Sequence, residues 1–595
     1  MSIASLYPSI NPSLLLDFAN SKVLDSRVTF TRTTTATYYD GVTTAKAEEN
    51  LLTYSQEFDN AVYSKTNVTV TANSVAAPDG TTTADTVTQS AGTNFKLIDQ
   101  AITGSAGQSY AVSVYAKAGT NNYIQLLFGG SNTDFANFDL SGAGAVGTVS
   151  GFTSGTTATI TSVGNSWFRC VVSWSSLGTA FTSVNVCLIP SSTSARAATT
   201  ANTNTVYLWG MQMEQRSSAT AYTATTTQAI TNYIPVLQTA AAGQARFDHN
   251  PTTGESLGLL IEEARTNSFT YSSDFSDATW TKTNATITAN TIVAPDGTLT
   301  GDKLVETTTA NSAHQVYKGT TLTAAPYTFS FYAKAAERTW CVVYFDSGFS
   351  AAYINLANGT VGSNPSGYAI TVTSVGNGWY RIAATRTATA ATWYTAIELA
   401  TADNVRTYTG DGFSGIFIWG AQLEAGSFAT SYIPTVASSV TRNADAASMT
   451  GTNFSSWFNN GEGTLYAEAS TSAANTAKRF AQIDSGAESN RIQIAAEASG
   501  TTKNFAVVTN SSTQAYTPVS ASYPVKVGAG YKVNDFGASF NGGAIQTDTS
   551  GTVPALSVMR FGAASDASEN MNGCLRKVSY YPAKATSAQI VGLTT

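Results

Sequence analysis

Thr53-Tyr-Ser-Gln-Glu-Phe-Asp-Asn-Ala-Val-Tyr-Ser-Lys-Thr-Asn67 returns as Thr270-Tyr-Ser-Ser-Asp-Phe-Ser-Asp-Ala-Thr-Trp-Thr-Lys-Thr-Asn284, with eight of fifteen positions identical. Both copies run without a gap into a turn, Ala77-Pro78-Asp79-Gly80 and Ala294-Pro295-Asp296-Gly297, at a constant offset of 217. An internal duplication of this length governs the fold, because each copy must build the same unit. Downstream, Ser109 to Lys117 alternates Tyr110, Val112 and Val114 against Ser113, Tyr115 and Lys117. The second copy does the same with Tyr327, Phe329 and Phe331 against Ser330, Tyr332 and Lys334. That period of two is a sheet strand with two distinct faces. Ser162-Val-Gly-Asn-Ser-Trp-Phe-Arg169 matches Ser374-Val-Gly-Asn-Gly-Trp-Tyr-Arg381 at offset 212, and Leu208-Trp-Gly-Met-Gln-Met-Glu214 matches Ile418-Trp-Gly-Ala-Gln-Leu-Glu424 at 210. Residues are lost between strands, where loops tolerate it.

Composition agrees with a sheet protein. Only 12% of the 595 residues are charged, while Thr, Val and the aromatics favour pleated backbone and 47 glycines supply turns. The expected fold is all-β: three β-sandwich or jelly-roll domains in tandem after a short N-terminal β segment. The boundaries read as an N-terminal β segment at 1–49, a first sandwich repeat at 50–223, an ordered linker at 224–266, a second repeat at 267–434, a connector at 435–460 and a third, unrelated sandwich at 461–595. The linker is too apolar to be floppy and is read as packed on a neighbour, with the strand at 27–32 as its partner.

A net charge of −7 with no basic run argues against nucleic acid and anionic membrane partners. No apolar run approaches a membrane span, so no membrane insertion is expected, and residues 1–8 lack the charged and apolar regions of a signal peptide. Cys170, Cys187, Cys341 and Cys574 show no metal-ligand spacing. Cys170 and Cys187 are open to pairing across adjacent strands, but buried free thiols, assembled in a reducing cytoplasm, are the favoured reading.

Histidines number two, His249 and His314, in different segments with no triad or zinc spacing. Glu48-Glu49 and Glu262-Glu263 are adjacent acids that a strand points to opposite faces. No catalytic residue, metal site or cofactor is assigned, and the chain is expected not to be an enzyme. Asp79-Gly80 and Asp296-Gly297 are weighed as structural calcium loops, against an ordinary turn with Pro at its second position. Sugar binding needs an exposed aromatic face beside hydrogen-bonding groups. The candidates are Tyr115 with Lys117 and Tyr332 with Lys334, followed by Trp167 with Arg169 and Trp379 with Arg381. Gln212, Glu214, Gln422 and Glu424 are read as satisfying backbone groups at a strand end.

The unit Thr-Tyr-Ser-x-x-Phe, Lys-Thr-Asn, Ala-Pro-Asp-Gly and Trp-Gly-x-Gln, ending in Ser431-Tyr-Ile-Pro434, resembles carbohydrate-binding-like sandwich modules of tailed-bacteriophage virion proteins. Leu24-Asp-Ser-Arg-Val-Thr-Phe-Thr-Arg32 and Gly258-Leu-Leu-Ile-Glu-Glu-Ala-Arg-Thr-Asn267 are similar to phrases of that family, separated here by the first repeat. The C-terminal unit resembles the concanavalin A-like (laminin G-like) lectin fold through Asn541-Gly542 and the strand into Tyr581-Pro582. This resemblance implies a phage virion structural protein, a tail fibre, spike or surface appendage attaching to host-surface glycan. It implies other virion proteins as partners, a homo-oligomer, by analogy a trimer, and location on the virion. A capsid decoration or head-fibre protein and a polysaccharide depolymerase are the alternatives.

Overall fold

The computed structural model describes residues 11–151, 156–199, 201–348, 350–471, 473 and 476–595. Residues 1–8, read above for targeting, lie outside it. Among the described residues the fold is all-β, with three short helices at Phe18–Ser21, Thr452–Ser455 and Ser587–Thr594.

Each repeat is a sandwich of two six-stranded antiparallel sheets. In the first repeat one sheet runs Thr156–Ser162, Trp167–Trp174, Tyr110–Ala118, Thr205–Glu214, Ala84–Gln89, Val68–Val75. The other runs Ala145–Ser150, Phe135–Asp139, Tyr123–Phe128, Phe181–Leu188, Leu97–Gly104, Tyr63–Thr66. The second repeat has the same two orders. The alternation read in Tyr110–Ala118 holds: Tyr110, Val112 and Val114 join the core with Phe128, Phe168 and Trp174, and Tyr115 lies on the opposite face with Trp167 and Trp209.

The duplicated stretch is a closed unit. Asp85 Oδ2 accepts the Phe58 amide at 2.8 Å and its Oδ1 accepts the Asn73 amide at 2.8 Å. Asp302 repeats both bonds with Phe275 and Asn290 at 2.9 Å. Asn73 and Asn290 sit at φ 50° and 56°, which a short polar side chain tolerates. Ser55 Oγ and Tyr222 Oη share a bond of 2.6 Å, as do Ser272 Oγ and Tyr432 Oη, tying the start of each repeat to its end. Asn50 and Asn267, also 217 apart, donate to Met211 and Thr223 carbonyls and to Ala421 and Ile433 carbonyls.

The segments outside the repeats depart from the tandem picture. Residues 230–240 do not pair with 27–32. Ile230–Ala240 pairs with Ala36–Asn50 in a two-stranded ribbon, and Thr29–Thr31 pairs with Ala446–Thr450. The ribbon lays Tyr39, Ala47, Ile234 and Leu237 against Tyr332, Trp379, Trp419 and Tyr432 of the second repeat. The third sandwich draws strands from four parts of the chain. Leu14–Leu16 and Ser256–Ile261 both pair with Gly573–Tyr581, and Ala446–Thr450 pairs with Val558–Phe561. Leu14, Leu16, Phe18, Val28, Leu259 and Ile261 are buried in its core beside Phe480, Phe505 and Tyr580. The physical reason is apolar content: Leu259 and Ile261 of the linker, with Leu14, Leu16, Phe18 and Val28 of the N-terminal segment, fill a core that 461–595 leaves open.

Where these segments meet, charges are sealed inside. Arg32 pairs with Asp445 at 2.9 Å, Arg246 with Asp445 at 2.5 Å and with Glu262 at 2.8 Å, and Arg442 approaches Glu262 at 3.6 Å. Burial pushes the Glu262 carboxyl up, and Arg442, Arg246 and bonds from Ser431 outweigh it, holding it down at about 2.

Candidate functional site

The Trp-Gly-x-Gln-x-Glu strand decides what becomes of the predicted rings. Gln212 Nε2 donates to Glu214 at 2.8 Å, and Glu214 accepts the Thr220 amide at 2.9 Å while Gln212 accepts the Thr223 amide at 2.6 Å. Gln422 and Glu424 hold Ile433 and Thr430 in the same way. The chain is thereby pinned so that Tyr222 and Tyr432 reach the rings. Gly210 and Gly420 adopt φ 60° and 64°, and a Cβ there would meet the Tyr115 and Tyr332 rings at 3.0 and 2.9 Å. No other residue fits both the conformation and the contact.

Exposed stacking faces were expected at these rings, and burial corrects that. Tyr115 is 5% exposed, with Trp209 at 5.2 Å and Tyr222 at 5.8 Å between ring centroids. Tyr332 is likewise buried between Trp419 and Tyr432. Arg169 and Arg381 lie 5.5 and 5.6 Å from these ring centroids and donate to Ser113 Oγ and Ser330 Oγ at 3.0 and 3.1 Å. Trp167 and Trp379 are fully buried, with Trp167 Nε1 donating to Ala76 O. Lys334 pairs with Glu48 of the ribbon and donates to Asn377 O at 2.7 Å. Lys117 is half-buried between the neighbouring strands that carry Trp167 and Tyr207.

Three of these eight residues, Tyr115, Arg169 and Lys334, line one cleft of about 900 Å³ between the two repeats. Lys117, Trp167, Tyr332, Trp379 and Arg381 lie outside its lining. One wall is a row of exposed threonines, Thr157, Thr159 and Thr161, in register with Ser173, Val171 and Arg169. The second repeat contributes Thr286 and Thr288, in register with Val305 and Lys303. The repeats are joined at the cleft by the Ala221 amide donating to Thr291 O at 2.6 Å. Its lysines are neutralised: Lys334 by Glu48, and Lys303 by Glu337 at 2.8 Å. Hydroxyls that both donate and accept, between lysines paired with carboxylates, suit a polyhydroxylated ligand.

The threonine rows carry no aromatic residue and so do not show as a stacking platform in the sequence. Their signal was nonetheless present as alternation in Thr157-Ala-Thr-Ile-Thr161 and Thr286-Ile-Thr288. Neither histidine lines the cleft; His249 and His314 hydrogen-bond to backbone oxygens of Phe247 and Asn284. All four cysteines are buried free thiols, and Cys170 and Cys187 stand in opposite sheets of the first repeat. Asp79 and Asp296 accept from the amide and hydroxyl of Thr81 and Thr298, as turn-closing residues do. Among the described residues no group of three His, Cys, Asp or Glu could hold a metal.

No family model and no curated relative matches this chain. Solved structures that align with it include the CBM40 module of the Ruminococcus gnavus IT-sialidase, bound to α2,6-sialyllactose. That match has 10% identity and a TM-score of 0.21, covering 24% of this chain and 88% of that one. Domains LG4-5 of the mouse laminin α1 chain align at 10% identity and TM-score 0.18, covering 47% and 88%. The LG1-3 region of the laminin α2 chain aligns at 8% identity and TM-score 0.15, covering 84% and 97%. Scores this low carry no argument, and the sandwich fold rests on the strand pairing of the chain itself.

Proposed function

We propose that this chain is a non-catalytic carbohydrate-binding protein that holds a saccharide between its two repeats. The observation that carries the reading is the open cleft of about 900 Å³ walled by threonine rows, with its lysines already paired. A saccharide presents hydroxyls in every direction, and such walls meet them with groups that both donate and accept. The absence of both histidines from the lining and the pairing of Glu48 and Glu337 with lysines support a binding role over hydrolysis. A glycan array probed with the intact chain tests this. Binding to at least one glycan is expected; an array blank at every spot overturns it.

The resemblance of the repeats to phage virion modules supports the finer reading: an attachment component, fibre, spike or capsid decoration, assembled as a homo-oligomer and carried on the particle. Antibody against the chain should label tailed particles, and unlabelled particles that contain no such chain by mass spectrometry would remove that role. Sedimentation equilibrium tests the trimer; a monomer at micromolar concentration contradicts it.

A further inference from the structure

Three basic side chains line the cleft between the repeats, and two of them have acid partners: Lys303 with Glu337 and Lys334 with Glu48. The third, Arg169, makes no ion pair among the described residues. It is half-buried, its Nε and Nη2 both donate to Ser113 Oγ, at 3.3 and 3.0 Å, and its guanidinium lies over the Tyr115 ring. Its Nη1 is neither hydrogen-bonded nor sealed from solvent. The carboxylates nearby are engaged elsewhere. Glu214 is buried and accepts from Gln212 and Thr220, with Arg216 at 3.7 Å. Asp79, also in the lining, is held by the Thr81 amide and hydroxyl of its own turn.

The duplication shows what this copy lacks. Arg381 takes the same place in the second repeat, donating to Ser330 Oγ at 3.1 Å and lying over Tyr332. There the ribbon lays Tyr39 against Tyr332, and the Arg381 Nε is sealed. Burial pushes the Tyr332 phenol up, Arg381 opposes it and Asp248 of the linker adds to it, so this chain supplies a carboxylate in the neighbourhood of that guanidinium. In the first repeat the corresponding face lines the open cleft.

We propose that the ligand of the cleft is an acidic saccharide, whose carboxylate seats on Arg169 while its hydroxyls run along the threonine wall. The proposal rests on the reading of the cleft as a saccharide site and names the class that the site takes. In register across the sheet, Arg169 stands beside Thr161, Val171 beside Thr159 and Ser173 beside Thr157. The cation is thus at one end of a hydroxyl wall four residues long, about 13 Å. A guanidinium meets a carboxylate through charge-assisted hydrogen bonds, roughly twice as strong as neutral ones. Ser113 and the Tyr115 ring fix the guanidinium before a ligand arrives, so less side-chain freedom is lost on binding.

The test titrates trigalacturonate, a mannuronate trimer and a hyaluronan hexasaccharide into the intact chain, each beside its methyl ester, which keeps the rings and hydroxyls and loses the charge. At least one acid is expected to bind, with its ester roughly ten-fold or more weaker. Arg169→Gln should lose the acid to that extent and bind acid and ester about equally. Thr159→Arg, which fills the middle of the wall with a long side chain, should weaken acid and ester alike. An ester as tight as its acid, or a native acid-to-ester ratio in Arg169→Gln, overturns the proposal and leaves the cleft as a site for neutral saccharides. Failure of all three acids does the same where neutral glycans bind. A chain that binds no glycan of either kind removes the proposal together with the reading of the cleft.

Discussion

Gly420 shows how much a single position can decide. At φ 64° with a ring edge 2.9 Å from where a Cβ would be, it lets the Trp-Gly-x-Gln strand bulge over Tyr332. Gly420→Ala is expected to destabilise the second repeat by about 1–3 kcal/mol, seen as a lower thermal midpoint. Asp445 is a different kind of residue, since it neutralises both Arg32 and Arg246 in a sealed space. Asp445→Asn leaves these cations short of a partner and should cost about 3–5 kcal/mol in chemical denaturation. Protons act on the same network. Glu262, held at about 2 against an ordinary 4.5, contributes stability that is complete above pH 4.5 and is lost as pH falls toward 2. Burial pushes Asp302 up to about 6 despite its two amide donors, and Asp248 likewise, so both act with the opposite sign. They make the fold less stable as pH rises from about 4 to about 6. A stability profile measured by thermal melts should therefore peak in the mildly acidic range and fall steeply below pH 4. A monotonic rise up to pH 7 contradicts these assignments. Residue types alone could not reveal this network, because Arg32, Arg246, Glu262, Arg442 and Asp445 come from distant phrases that only the fold unites.

At the scale of elements the sequence was far more legible. The alternation at Tyr110–Ala118 predicted which side chains enter the core, and the constant offset of 217 predicted two like sandwiches. What it did not predict is accessibility: the face bearing Tyr115 and Tyr332 is polar in pattern yet covered, by a pinned segment in one repeat and by the ribbon as well in the other. Pattern reports which face a residue is on, and only tertiary contacts report what lies over it. The closing helix Ser587–Thr594 was not among the expectations, although Thr586-x-x-Gln589 forms a capping box at its start. Thr586→Ala should loosen that helix by about 1 kcal/mol, measurable as faster amide exchange in its first turn.

The whole molecule is interwoven where the sequence suggested a tandem array. Residues 461–595 hold only the partner on one edge of Gly573–Tyr581 and of Val558–Phe561; on the other edge the partners are Leu14–Leu16, Ser256–Ile261 and Ala446–Thr450. Expressed alone, 461–595 should fail to fold, while 50–226, whose two sheets are complete, should melt cooperatively by circular dichroism. Interweaving also fixes the two repeats against each other, because the ribbon that starts beside the first repeat packs on the second. The cleft between them is therefore a built feature, and its occupancy is the central claim. It is tested most directly by titrating the intact chain and its Thr159→Arg variant with the best-binding glycan of the array. The account predicts at least a roughly ten-fold loss of affinity for that glycan. Native affinity of the variant for every glycan the chain binds would contradict it.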